Sequence, residues 1–300
     1  MNFSLNNYKN IILLFLLSSL WALHFSLVKI VDADNNPLSI LVSLLAILSL
    51  LFFFFLLFKK QIFKITLKKS IFFSVAGLFA YIVPLSIEFI VAPKIEAGIL
   101  TLIISIVPVF TLLIVWTFRL LDVTTKLVIG TLFGLFGLAI LLIGDLNNIS
   151  LNIWSIYALI IPLSYAFDAI FMEKFWPKNL NTTQVAFGEC VASLLFVILL
   201  STFFGNNFED YSQWLFFPSF WFLTIVTFIE VWLFFYMLNK IGAVFVNLSS
   251  YLVMPIGFVW GYLFFDETFT FIKFLSTLLI CISIFMLGKQ KYKIKNIPIE

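Results

Sequence analysis

The chain has 300 residues, 63% of them hydrophobic and 11% charged, with a formal net charge of +3. Soluble domains are roughly half apolar and about a quarter charged, and one water-soluble core cannot bury this excess of apolar surface. The composition excludes an ordinary soluble globular domain and makes lipid the solvent for most of the chain.

Apolar stretches near 20 residues cross about 30 Å of hydrocarbon. In chain order they fall at 11–31, 38–58, 70–91, 98–118, 127–144, 153–173, 183–204, 214–238, 244–264 and 271–288. The joints carry turn chemistry or charge: DADNNP, KKQIFK, APKIEAG, RLLDVTTK, GDLNN, EKFWPKN, GNNFED, NKIGA and FDETFT. The expected fold is an all-α integral membrane protein of ten transmembrane helices. The joints are too short to hold a catalytic domain outside the membrane. The first stretch lacks a small-residue cleavage site after a short apolar core, so it is expected to be a retained helix rather than a signal peptide.

Lysine and arginine concentrate in cytoplasmic loops. With the N-terminus inside and the spans alternating, every basic residue except Lys29, Lys94 and Lys273 falls on the inner side. The outer loops receive Asp32, Asp34, Glu96, Asp145, Glu209, Asp210, Asp266 and Glu267. Both termini are therefore expected in the cytoplasm, for instance of a bacterial inner membrane. The lysines at 59–69 are expected to face anionic headgroups.

The two halves align. RLLDVTTK at 119–126 overlies LFFDETFT at 263–270, an offset of 144, and KIEAGILTLIISIVP (94–108) is similar to KIGAVFVNLSSYLVMP (240–255). Five spans per copy is an odd number, so the second copy runs through the membrane in the opposite sense. Inverted repeats of this kind recur in secondary transporters, which bind substrate near the midplane between the copies.

These segments carry a resemblance over essentially the whole chain. SLWALHFSLVK in the first span, PKIEAGILTLIISIVPVFTLL leading into the fourth, IGTLFGLFGLAILLIG in the fifth and SSYLVMPIGFVWGYLFFDETFT at the ninth resemble the EamA-type carriers of the drug/metabolite transporter superfamily. The resemblance implies two five-helix repeats, at 1–145 and 146–290 with a basic tail at 291–300. It also implies alternating-access movement of small organic solutes, with export of amino acids or related metabolites as the expected activity. The family often has a Gly-Glu pair after the fourth and ninth helices, where this chain has Leu121-Asp122 and Asp266-Glu267. A membrane-embedded enzyme, or a lipid- or partner-binding membrane protein, is the alternative. It would show polar catalytic groups clustered at one interface, and these loops are short and plain. A channel would need a polar stripe recurring around the bundle.

Ionisable groups at a helix centre cost roughly 2.5–3.5 kcal/mol, so each needs a reason. Lys29 and Glu88 lie near the outer ends of their spans. They are candidates for an outer gate, with Lys29 an anchor for a substrate carboxylate, or both snorkel to the interface. Asp168, Glu189 and Glu230 fall in the cytoplasmic half with no lysine or arginine at that depth. Three carboxylates meeting in low dielectric cannot all ionise, as a proton-coupled or cation-binding site requires; otherwise they face separate polar crevices. His24, the only histidine, aligns with Asp168, and Trp21 aligns with Tyr165. This paired aromatic-plus-polar position suits a midplane pocket, although a buried histidine is often a packing residue.

Asn247, Tyr251 and Pro255 share a face of the ninth span, and Thr101, Ser105 and Pro108 share one of the fourth. Pro84, Pro108, Pro162 and Pro255 are candidate hinges or plain kinks. Gly130, Gly134 and Gly137 form a small-residue stripe, either for close helix packing or for a homodimer. Cys190 and Cys281 are expected to be packed thiols. No cofactor, metal or nucleic-acid partner is expected, because the sequence holds no phosphate-binding loop, metal-ligand cluster or nucleophile–base pair.

Overall fold

The computed structural model describes residues 8–31, 36–95, 97–120, 124–144, 153–265 and 270–287, and among them there are helices and turns but no strand. Asp32, Asp34, Glu96, Asp122, Asp145, Asp266 and Glu267, the lysines at 289–295, the tail 291–300 and the side chain of Lys273 lie outside the described residues.

Each apolar stretch is helical. Helix α1 (Tyr8–Val31) is followed by α2 (Pro37–Phe58). The third stretch is α3 (Leu67–Gly77), a π-helical turn at Leu78–Ile82 and α4 (Val83–Val91), ending in a 3-10 turn at Ala92–Lys94. The fourth is α5 (Ala97–Ile104) and α6 (Val107–Thr117), and the fifth is α7 (Thr125–Gly144). Then come α8 (Ile153–Ala158), α9 (Ile160–Phe175) and α10 (Thr182–Phe203). A short α11 (Phe208–Ser212) precedes the expected eighth stretch and a 3-10 turn at Gln213–Phe216 occupies its start, so α12 (Pro218–Ile241) begins later than expected. The ninth is α13 (Ala243–Asn247) and α14 (Ser249–Phe265), and α15 (Phe271–Leu287) is the last.

Eight of these segments are long and apolar enough to cross a membrane, whereas α7 and α15 carry shorter apolar stretches, Thr125–Gly137 and Phe274–Ser283. The perimeter is apolar: Phe58, Phe203 and Phe216 are each more than 80% exposed. Polar side chains lie inside, and many are satisfied within their own helix. Ser26, Thr111, Thr224 and Thr227 each donate to the carbonyl four residues back, which removes most of the cost of burying a hydroxyl.

The helix ends follow local chemistry. Asn181 and Gln184 form a reciprocal capping box at the start of α10. At the end of that helix Gly205 adopts φ +88 while the N–H groups of Gly205 and Asn206 close on the carbonyls of Thr202 and Ser201. Lys60 and Arg119 take the same left-handed position after α2 and α6, where a cation also complements the helix C-terminus. Gly242, at φ +85, turns the chain from α12 into α13, and the Glu173 carboxylate accepts from the Ala243 N–H.

Helix α1 packs against α12 and α14, α2 against α10, α4 and α6 against α9, and α7 against α15. The glycine stripe of α7 is used within the chain. Ser276 and Ser283 of α15 donate to the carbonyls of Gly137 and Gly130, both at 2.6 Å. A Cβ at Gly134 would meet the ring of Tyr251. The stripe is thus a helix-packing surface for α14 and α15 rather than an open dimer face.

Candidate functional site

Four interruptions break the helices, and three of them, at Leu78–Ile82, Ser105–Ile106 and Leu248, flank the central cavity. At the first, Pro84 lacks an N–H and its ring crowds the carbonyl of Ala80. The chain widens there into a π turn, with the Val83 N–H closing on the Leu78 carbonyl five residues back. In that register the next donor would be Pro84 itself, so the Phe79 carbonyl has no helical partner. Ser164 of α9 supplies one at 2.8 Å. Pro108 stands just after the break at Ser105–Ile106, and Pro162 just after the break at Leu159. The fourth interruption, at Leu248, separates α13 from α14 and precedes Pro255, which lies inside the continuous helix α14. Three of the four candidate hinge prolines therefore adjoin a real break.

A cavity opens beside the π turn and the breaks at Ser105–Ile106 and Leu248, with about 740 Å³ of space free of protein atoms, part of it continuous with the exterior. Its floor and walls come from both halves of the chain. Helix α1 contributes Trp21, His24 and Phe25; the π turn contributes Ala80 and Tyr81; and the fourth stretch contributes Ile104 and Val107. Helix α9 adds Tyr165 and Asp168, α12 adds Thr227, Glu230, Phe234 and Phe235, and the ninth stretch adds Asn247 and Ser250.

His24 is 3% exposed and stands between two carboxyl groups. Its Nδ1 is 2.8 Å from Glu230 Oε1 and 3.1 Å from Thr227 Oγ1. Thr227 already donates its hydroxyl to the Leu223 carbonyl, so it accepts from the imidazole, which assigns a proton to Nδ1. On the other side Nε2 lies 3.4 Å from Glu88 Oε1, an ion-pair distance without hydrogen-bond alignment.

Asp168 is 2% exposed and its Oδ1 has no hydrogen-bond partner. Glu189 of α10 is fully buried, with both oxygens likewise unpartnered, and lies within electrostatic reach of Asp168. Tyr81 bridges the two regions: its hydroxyl lies 3.6 Å from Cys190 Sγ, beside Glu189. Cys190 is buried as expected, whereas Cys281 is exposed on the perimeter.

The intramembrane acids do converge, but in a different grouping from the expected one. Glu230 belongs with His24 and Glu88, at the depth of the imidazole rather than below it, and Asp168 belongs with Glu189. Glu88 does not pair with Lys29, whose Nζ instead approaches the Ile95 carbonyl at 3.5 Å. The third stretch continues helically to Val91 and through a 3-10 turn to Lys94. Glu88 therefore sits deeper than an end at residue 91 implied. Neither Lys29 nor Glu189 is among the residues lining the cavity.

The expected shared face of Asn247 and Tyr251 is divided by the break at Leu248. Asn247 lines the cavity and donates to Thr111 at 2.8 Å, whereas Tyr251 turns away and donates to the Thr131 carbonyl at 3.2 Å. Sequence reasoning missed Tyr81, Thr227, Phe234 and Ser250. Thr227 was within reach, because it lies one helical turn before Glu230 on the same face. Tyr81 depends on the π turn, whose only signal is Pro84.

A family model described as "EamA-like transporter family" matches residues 9–143 and again 152–289. A solved structure, titled only "Crystal structure of protein", covers 93% of this chain and 96% of its own with a TM-score of 0.70 at 14% identity, a likeness of fold alone. No curated protein matches by sequence.

Proposed function

The chain belongs to the EamA-like transporter family, part of the drug/metabolite transporter superfamily, and on that premise we propose that it is a secondary transporter whose substrate site is the central cavity. The substrate is a small organic metabolite, and the movement is alternating access between two inverted five-helix repeats. In this reading α7 and α15 complete ten spans, and both termini face the cytoplasm of a bacterial inner membrane.

One observation carries the proposal. Buried ionisable and polar groups from both family-matched segments, His24 from the first and Asp168, Glu230 and Asn247 from the second, converge on a single cavity. Charged groups in a bilayer are costly and usually face a pathway or one another; these do both. The breaks beside Pro84 and Pro108, and the one at Leu248, place irregular backbone where it adjoins a cavity, as membrane helices tolerate, and give each repeat points about which to rock. The position of the His24 imidazole between the carboxyl groups of Glu230 and Glu88 makes proton coupling the natural energy source.

The test is flux in proteoliposomes across a panel of metabolites, with and without a pH gradient. Saturable flux of at least one solute, enhanced by the gradient, is expected. No protein-dependent flux of any solute would remove the reading.

A further inference from the structure

We infer that the cavity selects organic cations lacking a carboxylate, with Asp168 as their counter-ion; the inference rests on the cavity being the transport site.

The first ground is charge. Asp168 and Glu230 line the cavity, with Glu189 behind the first and Glu88 on the far side of His24, and none of the described residues lining it is lysine or arginine. Its one basic group, His24, has both ring nitrogens turned to Glu230 and Glu88. A substrate carboxylate would enter an acidic, poorly hydrated site with no free cation to meet it, a costly placement. An amino acid, the class suggested by family resemblance, carries that liability.

The second ground is Asp168 itself. It lines the cavity, is 2% exposed, and keeps Oδ1 without a hydrogen-bond partner. Buried carboxyl oxygens are normally satisfied, so this carboxyl at the cavity wall keeps acceptor capacity that the protein itself does not use. An ammonium group supplies both the donor and the opposite charge.

The third ground is the wall. Trp21, Phe25, Tyr81, Tyr165, Phe234 and Phe235 bring aromatic rings to one space. Aromatic faces attract cations, most strongly where water is scarce, and their apolar area covers the body of an amphipathic amine. Asn247 is already committed to Thr111, whereas the Ser250 hydroxyl has no partner and can accept a second ammonium hydrogen.

Three probes with one phenethyl body separate the contributions: phenethylammonium, neutral 2-phenylethanol and zwitterionic phenylalanine. Binding to the purified full chain in detergent is read by titration calorimetry at neutral pH. Phenethylammonium is expected to bind at least about tenfold more tightly than either of the others. Asp168→Asn should erase its margin over the alcohol, and Asp168→Glu should keep much of it. The wild-type comparison needs no variant, so a folding defect in Asp168→Asn does not blunt the test. Equal binding of the three, tighter binding of phenylalanine, or no binding of phenethylammonium overturns the inference. Proteoliposome flux of phenylalanine or a neutral solute alongside such a result leaves the transport reading standing. Absence of flux for every solute removes that reading as well.

Discussion

Glu230 Oε1 lies 2.8 Å from Nδ1 of His24, joining α12 to α1 across the centre of the bundle. The pair brings together a residue from each family-matched segment, and both members are nearly excluded from solvent. Removing one member leaves the other without its partner in low dielectric. His24→Gln and Glu230→Gln should each lower thermal stability in detergent. The double variant should lose less than the sum, with a coupling of about 1–3 kcal/mol. Additive losses would show that the two groups do not interact.

The outer lysine behaves differently. Because Glu88 faces His24 and Lys29 approaches the Ile95 carbonyl, reversing both charges should not rescue transport. Lys29→Glu with Glu88→Lys is expected to be at least as impaired as Glu88→Lys alone, because it places a lysine against an imidazole. Partial recovery in the double variant, measured as initial flux, would restore the gate that the sequence suggested.

Ser164 and Pro84 form a second cycle. Ser164→Ala leaves the buried Phe79 carbonyl without its 2.8 Å donor, a loss of about 1–3 kcal/mol. Adding Pro84→Ala supplies a backbone N–H to the same carbonyl in the π register, so the double variant should be more stable than Ser164→Ala. If adding Pro84→Ala gives no recovery in the melting temperature, the orphaned-carbonyl account is wrong.

The acids at the cavity should set the pH profile. Asp168 faces Glu189, Tyr81 and Tyr165, whereas Glu230 faces His24, Glu88 and Tyr165. Asp168→Asn and Glu230→Gln preserve shape and remove a titrating group. Each should flatten or invert the dependence of initial flux on pH between about pH 5 and 8, the range in which histidine-linked groups change charge. Wild-type profiles in both variants would place the two carboxyls outside the transport cycle.

Much of this was legible in the sequence because lipid imposes simple rules. Apolar runs marked every long helix, though not the short α11 in the joint before α12, and turn residues marked most joints to within a few positions. The cost of buried charge selected His24, Asp168 and Glu230 correctly as residues of one pocket. Partners were harder to read. Depth counted from span ends put Glu88 beside Lys29, because the helical turn through Lys94 was not foreseen. Linear periodicity put Tyr251 on the face of Asn247, because it cannot register the break at Leu248. The glycines of α7 favoured close packing without naming the partner helix, which the positions of Ser276, Ser283 and Tyr251 supply.

Ser250 offers the most direct test that the cavity is the transport path. It lines the cavity and is 1% exposed, and serine to cysteine changes little in size. In a Cys190→Ser, Cys281→Ser background, Ser250→Cys can be modified in proteoliposomes with a bulky methanethiosulfonate reagent and then released by reductant. Because blocking and release are read on one sample, folding is held constant. The account predicts that modification stops protein-dependent flux and that reductant restores it. Complete modification with undiminished flux would contradict it.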